Sequence, residues 1–123
     1  MLNHPLTNPV NKPFVPIFWP GASGTKYEFQ LAALGTINYF DVEGVYIFCK
    51  DVGSNHYSPI YVGETDSLKR RLNDELEGHH ALQAIRHQGA THISAMVVRG
   101  DRAKRLYIET DLRNGLKPPC NKQ

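Results

Sequence analysis

The chain has 123 residues, of which 41% are hydrophobic and 21% charged, values typical of one globular domain with a single core. Its 14 basic and 12 acidic residues give a net charge of +2, which excludes the global basic field of strong nonspecific nucleic-acid binders. No stretch approaches the roughly 20 apolar residues that span a bilayer, and the first residues lack the pattern of a signal peptide. We therefore expect a cytoplasmic protein with no membrane partner.

The first 42 residues predict an N-terminal arm followed by an additional strand. Five prolines between Pro5 and Pro20 exclude a regular helix or a central strand. Apolar and polar residues alternate over residues 27–31, which favours a strand. The chain from residue 43 to residue 123 carries the other predicted elements and is expected to form the main domain.

A β-hairpin is predicted at the centre of the chain. Residues 44–49 and 60–63 are short runs rich in β-branched and aromatic side chains, as strands are. The polar residues 50–59 predict a long connection. A register that pairs Tyr46 with Tyr61 would bring two phenols together on one sheet face. Gly44 and Gly63 are structural glycines beside them, where the uncovered backbone could let a ligand approach closely.

Three helices and a further strand are predicted after the hairpin. Asp66 or Ser67 can cap a first helix, whose apolar stripe is Leu68, Leu72 and Leu76,. Residues 81–87 favour a second helix, residues 91–98 a third strand, and residues 101–115 a last helix. The predicted fold class is thus α/β, of the α+β kind, with a small central three-stranded sheet flanked by about three helices.

The residues of the hairpin and of the later helices resemble the GIY-YIG nuclease superfamily. The resemblance rests on Gly44-Val45-Tyr46, Tyr61-Val62-Gly63, Arg71, Glu109 and Asn121. It covers roughly residues 43–121 and implies a nuclease domain over residues 43–123, with residues 1–42 outside it. Individually, these side chains also fit structural roles, such as aromatic core residues or a surface pair between Glu109 and Arg105.

The resemblance implies a role for each of these side chains in phosphodiester hydrolysis. Glu109 would hold one Mg²⁺ or Mn²⁺ ion, because one carboxylate with several waters suits these cations. Arg71 would bind the scissile phosphate with its planar fork. Tyr46 would orient or deprotonate the attacking water, Tyr61 would position water or phosphate, and Asn121 would fix the local geometry.

The chain departs from the superfamily pattern at one position. Fourteen residues after Tyr61, members often carry a histidine or tyrosine that assists water activation, whereas this chain has Glu75. Glu75 could accept a proton, or it could repel the phosphate. His79 and His80 follow closely and could supply the imidazole. All three remain candidates for the auxiliary role.

The resemblance implies a metal-dependent DNA endonuclease that uses one metal ion. DNA would contact a local basic patch, which we place at Lys69, Arg70 and Arg71. Because no DNA-binding domain is recognised in the sequence, a homo-oligomer or a separate DNA-binding partner could supply further affinity.

Two alternatives differ from the nuclease in class. A noncatalytic module could keep the fold and bind nucleic acid or protein, although the complete catalytic set argues against it. A zinc-binding domain could use His79, His80 and Cys120, which lack the usual paired ligand spacing.

Overall fold

The computed structural model describes residues 15–121, which form an α+β fold around one antiparallel sheet. The strand order is β1-β2-β5-β3-β4. The strands are β1 (Val15–Pro20), β2 (Lys26–Ala33), β3 (Gly44–Gly53), β4 (His56–Thr65) and β5 (His92–Val97). The predicted three-stranded sheet is therefore too small, since β1 and β2 extend it to five strands.

The position of β1 explains how a proline-rich segment can join the sheet. It pairs with β2 alone, and an edge strand tolerates prolines because its outer side needs no hydrogen-bond donor. Pro16 and Pro20 both lie on this strand. The part of the predicted arm before Val15 lies outside the described residues.

The central hairpin is longer and its turn is tighter than predicted. Strands β3 and β4 continue to Gly53 and from His56, so the predicted long connection is wrong. Only Ser54 and Asn55 separate them, with φ of 54° and 62°, as two-residue hairpin turns with positive φ require. The segment is polar because both strands leave the core here and become exposed.

The observed register does not pair the two tyrosines directly. Tyr46 lies opposite Gly63, and Tyr61 lies opposite Phe48, with an irregularity directly after Phe48. A Cβ atom on Gly63 would overlap the ring of Tyr46. Gly44 is similarly enclosed, since a Cβ there would overlap the Met96 carbonyl. Both glycines therefore accommodate the protein's own groups, and the expected ligand approach to their backbone is wrong.

The segment predicted as the first helix is irregular. It contains a π-helix at Arg70–Asp74 and a 3₁₀ turn at Leu76–Gly78. Asn73 ties the segment to the preceding loop, because its side chain accepts from the Tyr39 N–H at 2.7 Å and donates to the Ile37 carbonyl at 2.9 Å. Such π-helical turns are rare and recur at functional sites.

Two regular helices follow. Helix α1 is Leu82–His87 and helix α2 is Arg102–Leu116. The Asp101 side chain accepts from the Lys104 N–H at 3.2 Å and thus caps α2 as predicted,. Within residues 15–121, no helix is both long and apolar enough to cross a membrane.

The sheet has a core on each face. Helix α1, the irregular segment and the loop before β3 cover the face that carries Tyr46, Phe48 and Tyr61. Helix α2 covers the other face with Ile108 and Leu112. Burying such large aliphatic side chains contributes on the order of 1.5–3 kcal/mol each.

Asp111 fixes helix α2 against the turn between β1 and β2. Its carboxylate accepts hydrogen bonds from the Ser23 N–H at 2.8 Å, the Ser23 hydroxyl at 2.7 Å and the Tyr27 hydroxyl at 2.7 Å. These bonds from Ser23 and Tyr27 hold the pKa of Asp111 below its usual value,. Because Glu109 lies on the same helix, this lock also helps to set its position.

Candidate active site

Tyr46 lies at the centre of the site, almost completely buried on β3. Its hydroxyl is 2.8 Å from Nε2 of His79. His79 follows the 3₁₀ turn and is also buried. Of the three auxiliary candidates, His79 is therefore the one that contacts the hydroxyl of Tyr46.

A backbone contact defines the proton position on His79. The Ala81 N–H donates to Nδ1 of His79 at 3.1 Å, so Nδ1 must be unprotonated. Burial lowers the pKa of His79 to about 4, and the charges of His80 and Arg71 act in the same direction. In the neutral ring the proton is consequently on Nε2, which donates to the oxygen of Tyr46.

The second tyrosine extends this aromatic cluster. The rings of Tyr46 and Tyr61 have centroids 6.2 Å apart, and the ring of His79 is 5.1 Å from that of Tyr61. The Tyr61 hydroxyl is 3.4 Å from Nε2 of His80, which stacks on His79 at 4.9 Å. Both phenols and both imidazoles thus form one group.

Opposing charges act on the two phenols. Burial raises the pKa of Tyr46; Tyr61 and Glu109 add to the effect, while Arg71 opposes it. Burial likewise raises the pKa of Tyr61, Glu109 adds to this, and Arg71 and Arg113 oppose it. Both side chains are therefore neutral phenols near pH 7, next to cations that favour the phenolate.

Arg71 reaches the site from the π-helix. It is partly buried, and its Nε atom is buried without a hydrogen-bond partner among residues 15–121. By contrast, Lys69 pairs with Asp74 at 3.3 Å, and Arg70 pairs with Asp66. Of the three predicted DNA-binding residues, only Arg71 keeps its charge uncompensated by an ion pair in the described chain.

Glu109 is half-buried on α2. Burial raises its pKa, Glu64 adds to this, and Arg113 and Arg102 oppose the shift. Within the described residues its carboxylate forms neither a hydrogen bond nor an ion pair. A partly desolvated carboxylate that forms no ion pair in the described chain fits a divalent cation, for which it would be a single oxygen ligand.

Asn121 clamps the strand that carries Tyr61. Its side chain accepts from the Val62 N–H at 2.7 Å and donates to the Val62 carbonyl at 2.8 Å. The neighbouring Cys120 N–H bonds to the Ile60 carbonyl at 3.0 Å. The predicted site residue Asn121 thus contacts the backbone on the C-terminal side of Tyr61.

Glu75, the remaining auxiliary candidate, lies at an exposed position beside Arg70. The Glu75 side chain is 63% exposed, and its carboxylate is 3.8 Å from Nε of Arg70. In the part of the chain that the structure describes, no three His, Cys, Asp or Glu side chains could hold a metal ion together. The zinc alternative therefore gains no support from the described residues.

The sequence suggested charged residues beside the site, but not the ion pairs that join them. Glu64 accepts from Arg102 Nε at 3.1 Å and from Arg105 Nε at 2.9 Å. These three residues, together with Arg70 and Arg71, line a cleft of about 190 Å³. The cleft gives the basic side of the site a concave surface.

The position of His79 gives a testable pH dependence. The folded protein keeps this imidazole neutral down to about pH 4, whereas in the unfolded chain it binds a proton below about 6.5. The unfolded state thus binds more protons in this window, and stability falls as the pH decreases through it. In urea unfolding from about pH 7 to about pH 5, we expect wild type to lose about 2 kcal/mol more than His79→Gln.

A second histidine variant serves as the control for this effect. His87 is exposed at the end of α1, so His87→Gln should keep the wild-type loss of stability. Equal pH dependence in wild type and His79→Gln would contradict the assignment of a buried, neutral His79.

The chain has a GIY-YIG-like fold. It is similar to solved structures of the GIY-YIG N-terminal endonuclease domain of UvrC from Thermotoga maritima, which are point mutants bound to the catalytic divalent cation. Three of them share 27%, 28% and 25% sequence identity with this chain, with TM-scores of 0.54, 0.54 and 0.55. Each similarity covers 68% of this chain and 86% of the UvrC domain.

No protein-family model and no curated protein matches the chain. The similarity therefore lies in the three-dimensional fold, at an identity of 25–28%. It is consistent with the resemblance carried by the two tripeptides and by Arg71, Glu109 and Asn121.

Proposed function

We propose that this protein is a metal-dependent endonuclease that hydrolyses phosphodiester bonds of DNA with one divalent cation. A single observation carries the proposal. A buried phenol bonded to a neutral imidazole lies within the fields of Arg71 and Glu109, neither of which forms an ion pair within residues 15–121. The UvrC domain with the same type of fold binds a catalytic divalent cation.

Glu109 is the proposed metal ligand. Its carboxylate is half-buried and free of ion pairs within residues 15–121, so a bound cation would compensate a charge that the protein otherwise leaves poorly solvated. One carboxylate and several waters suit Mg²⁺ or Mn²⁺. When bound, the cation would stabilise the negative charge on the leaving oxygen.

Tyr46 is the proposed water-orienting group. Its oxygen accepts from Nε2–H of His79, so its own hydrogen remains available to a water or phosphate oxygen. The same Nε2–H and the charge of Arg71 favour the phenolate and oppose the effect of burial,. As a neutral phenol, Tyr46 can orient the attacking water; it could take up the proton of that water only after losing its own, as the phenolate that His79 and Arg71 favour. His79 replaces the auxiliary side chain that Glu75 does not provide.

Arg71 is the proposed ligand of the scissile phosphate. Its buried Nε lacks a hydrogen-bond acceptor in the described chain, and a phosphate oxygen would satisfy it. A guanidinium can donate two parallel hydrogen bonds to phosphate, which both orients the group and stabilises its charge in the transition state.

The experiment is cleavage of supercoiled plasmid, branched DNA and single-stranded DNA with Mg²⁺ or Mn²⁺. We expect Arg71→Ala to lower the cleavage rate about 100-fold, because one preorganised donor to the transition state is lost. Arg71→Lys should give an intermediate rate, since lysine keeps the charge but not the planar fork.

The matched control is Arg86→Ala. The Arg86 side chain is 58% exposed and pairs with Glu77 at 2.7 Å, so its loss removes the same charge from the protein but should leave the cleavage rate unchanged. Cleavage by Arg71→Ala as fast as by Arg86→Ala would contradict the proposed role of Arg71.

A further inference from the structure

We propose that Arg113 is a second phosphate-contacting residue, which binds the DNA backbone next to the scissile phosphate. This inference rests on the proposed function, because it assigns a substrate contact to the same site. Arg113 was not among the residues singled out by the sequence. The only sequence signal for it is its spacing, four residues after Glu109 on α2, which places both side chains on one face of the helix.

The ion pairs of helix α2 distinguish Arg113 from its neighbours. Arg102 and Arg105 both bind the carboxylate of Glu64, at 3.1 Å and 2.9 Å. Arg113 has no ion pair within the described residues, and its Nε is buried without a hydrogen-bond acceptor there. A buried, charged donor without an acceptor is costly. An anion that fills this position would remove the cost.

The electrostatic surroundings place this free charge at the active site. Arg113 follows Glu109 by four residues on α2, which places both side chains on one face of the helix,. Burial raises the pKa of Tyr61, and the charge of Arg113 opposes that shift. The guanidinium of Arg113 therefore acts on the phenol of Tyr61 from the helix face that carries Glu109, while Arg71 acts on both phenols. Two arginines without ion pairs in the described chain thus act on the same phenol, that of Tyr61.

The chemistry of this arrangement favours a phosphodiester backbone as the ligand. A guanidinium donates from Nε and Nη in one plane, a geometry that matches two oxygens of a phosphate. Arg71 is the proposed ligand of the scissile phosphate, and successive phosphates along a DNA strand present the same group again. Arg113 can consequently hold a neighbouring phosphate and fix the register of the strand across the site.

The test is equilibrium binding of a short fluorescein-labelled DNA duplex, measured by anisotropy in Ca²⁺ over a series of salt concentrations. Loss of one phosphate contact should lower the slope of log K against log salt by about 0.9 and weaken binding about tenfold at low salt. We expect this result for Arg113→Gln, which keeps most of the aliphatic stem. Arg113→Lys should retain more of the slope, because it keeps the charge.

Arg86→Ala is again the matched control, since it removes one positive charge from an exposed position and should leave the slope unchanged. A wild-type slope in both Arg113 variants would overturn the role of Arg113. Equal loss in Arg113→Gln and Arg86→Ala would also overturn it, because the effect would then come from net charge.

A different result would contradict the proposed function. The wild-type protein could bind the duplex with a salt-dependent affinity and yet cleave no DNA with Mg²⁺ or Mn²⁺. This result would contradict the proposed endonuclease activity, while the phosphate contact of Arg113 could still be measured. Wild type without salt-dependent binding would overturn both.

Discussion

A Glu109→Gln variant is expected to cleave DNA at least about 1000-fold more slowly than wild type with Mg²⁺ or Mn²⁺. The substitution keeps the size of the side chain but removes the negative charge, and Glu109 is the one acidic group proposed to hold the cation. A metal ion contributes several kcal/mol to the transition state, and about 1.4 kcal/mol corresponds to a factor of ten in rate.

The effect on metal binding should parallel the effect on cleavage. We expect Mn²⁺ affinity, measured by calorimetry or by electron paramagnetic resonance, to fall in Glu109→Gln. The free energy of unfolding in metal-free buffer should not decrease, because burial raises the pKa of Glu109 and so disfavours its charged form,. A neutral amide at this position avoids that cost.

Glu28→Gln is the control for Glu109→Gln. Glu28 is an exposed residue of β2, three strands away from β4 in the sheet, and its loss changes the net charge by the same amount. We expect wild-type cleavage and Mn²⁺ binding in this variant. If Glu109→Gln still cleaved DNA at a tenth of the wild-type rate, this would contradict the assignment of Glu109 as the metal ligand.

A Tyr46→Phe variant is expected to cleave DNA about 1000-fold more slowly than wild type. The substitution removes one oxygen, which accepts from His79 Nε2 at 2.8 Å and is proposed to orient the attacking water. General acid–base groups contribute typically about 10²–10⁴-fold. The variant should stay folded, because the ring remains in the space that Gly63 leaves open. The unpaired Nε2–H should cost on the order of 1–3 kcal/mol in unfolding free energy.

Tyr39→Phe is the matched control, because it removes a hydroxyl from another buried tyrosine. The Tyr39 hydroxyl has no hydrogen-bond partner in the part of the chain that the structure describes, so its loss should change neither cleavage nor stability strongly. Near-wild-type cleavage by Tyr46→Phe would show that the phenol is a core residue and not part of the chemistry.

Several elements that carry the proposed site residues could be predicted from local signals, whereas the residues themselves were chosen by their resemblance to the GIY-YIG nuclease superfamily. Asp101 caps helix α2 and thereby defines the helix that presents Glu109. The two apolar runs of the hairpin define the strands that carry Tyr46 and Tyr61. Local propensity was sufficient for these strands and this helix, since hydrophobic periodicity depends mainly on neighbouring positions.

The register of the hairpin could not be predicted from the same signals. It depends on a two-residue turn at Ser54 and Asn55, within a polar stretch that resembles a loop, and on irregularities in the pairing of β3 and β4. A shift in register changes which residues face each other. Tyr46 consequently lies opposite a glycine and not opposite Tyr61.

The partner of Tyr46 also depends on tertiary structure. Glu75, His79 and His80 were equivalent candidates in the sequence, but a π-helix and a 3₁₀ turn precede His79 and bring its ring to the phenol. The importance of Arg113 is similar in origin. It follows from Glu64 binding Arg102 and Arg105 but not Arg113, a distribution of ion pairs that the sequence alone does not contain.

The most direct test of the central claim is the conversion of supercoiled plasmid to nicked DNA by the purified wild-type protein. The reaction should occur with Mg²⁺ or Mn²⁺, stop with a chelator and resume when the metal is added back. Absence of nicking on plasmid, branched and single-stranded DNA under all of these conditions would contradict the endonuclease. Metal-independent DNA binding by such an inactive protein would favour the noncatalytic module.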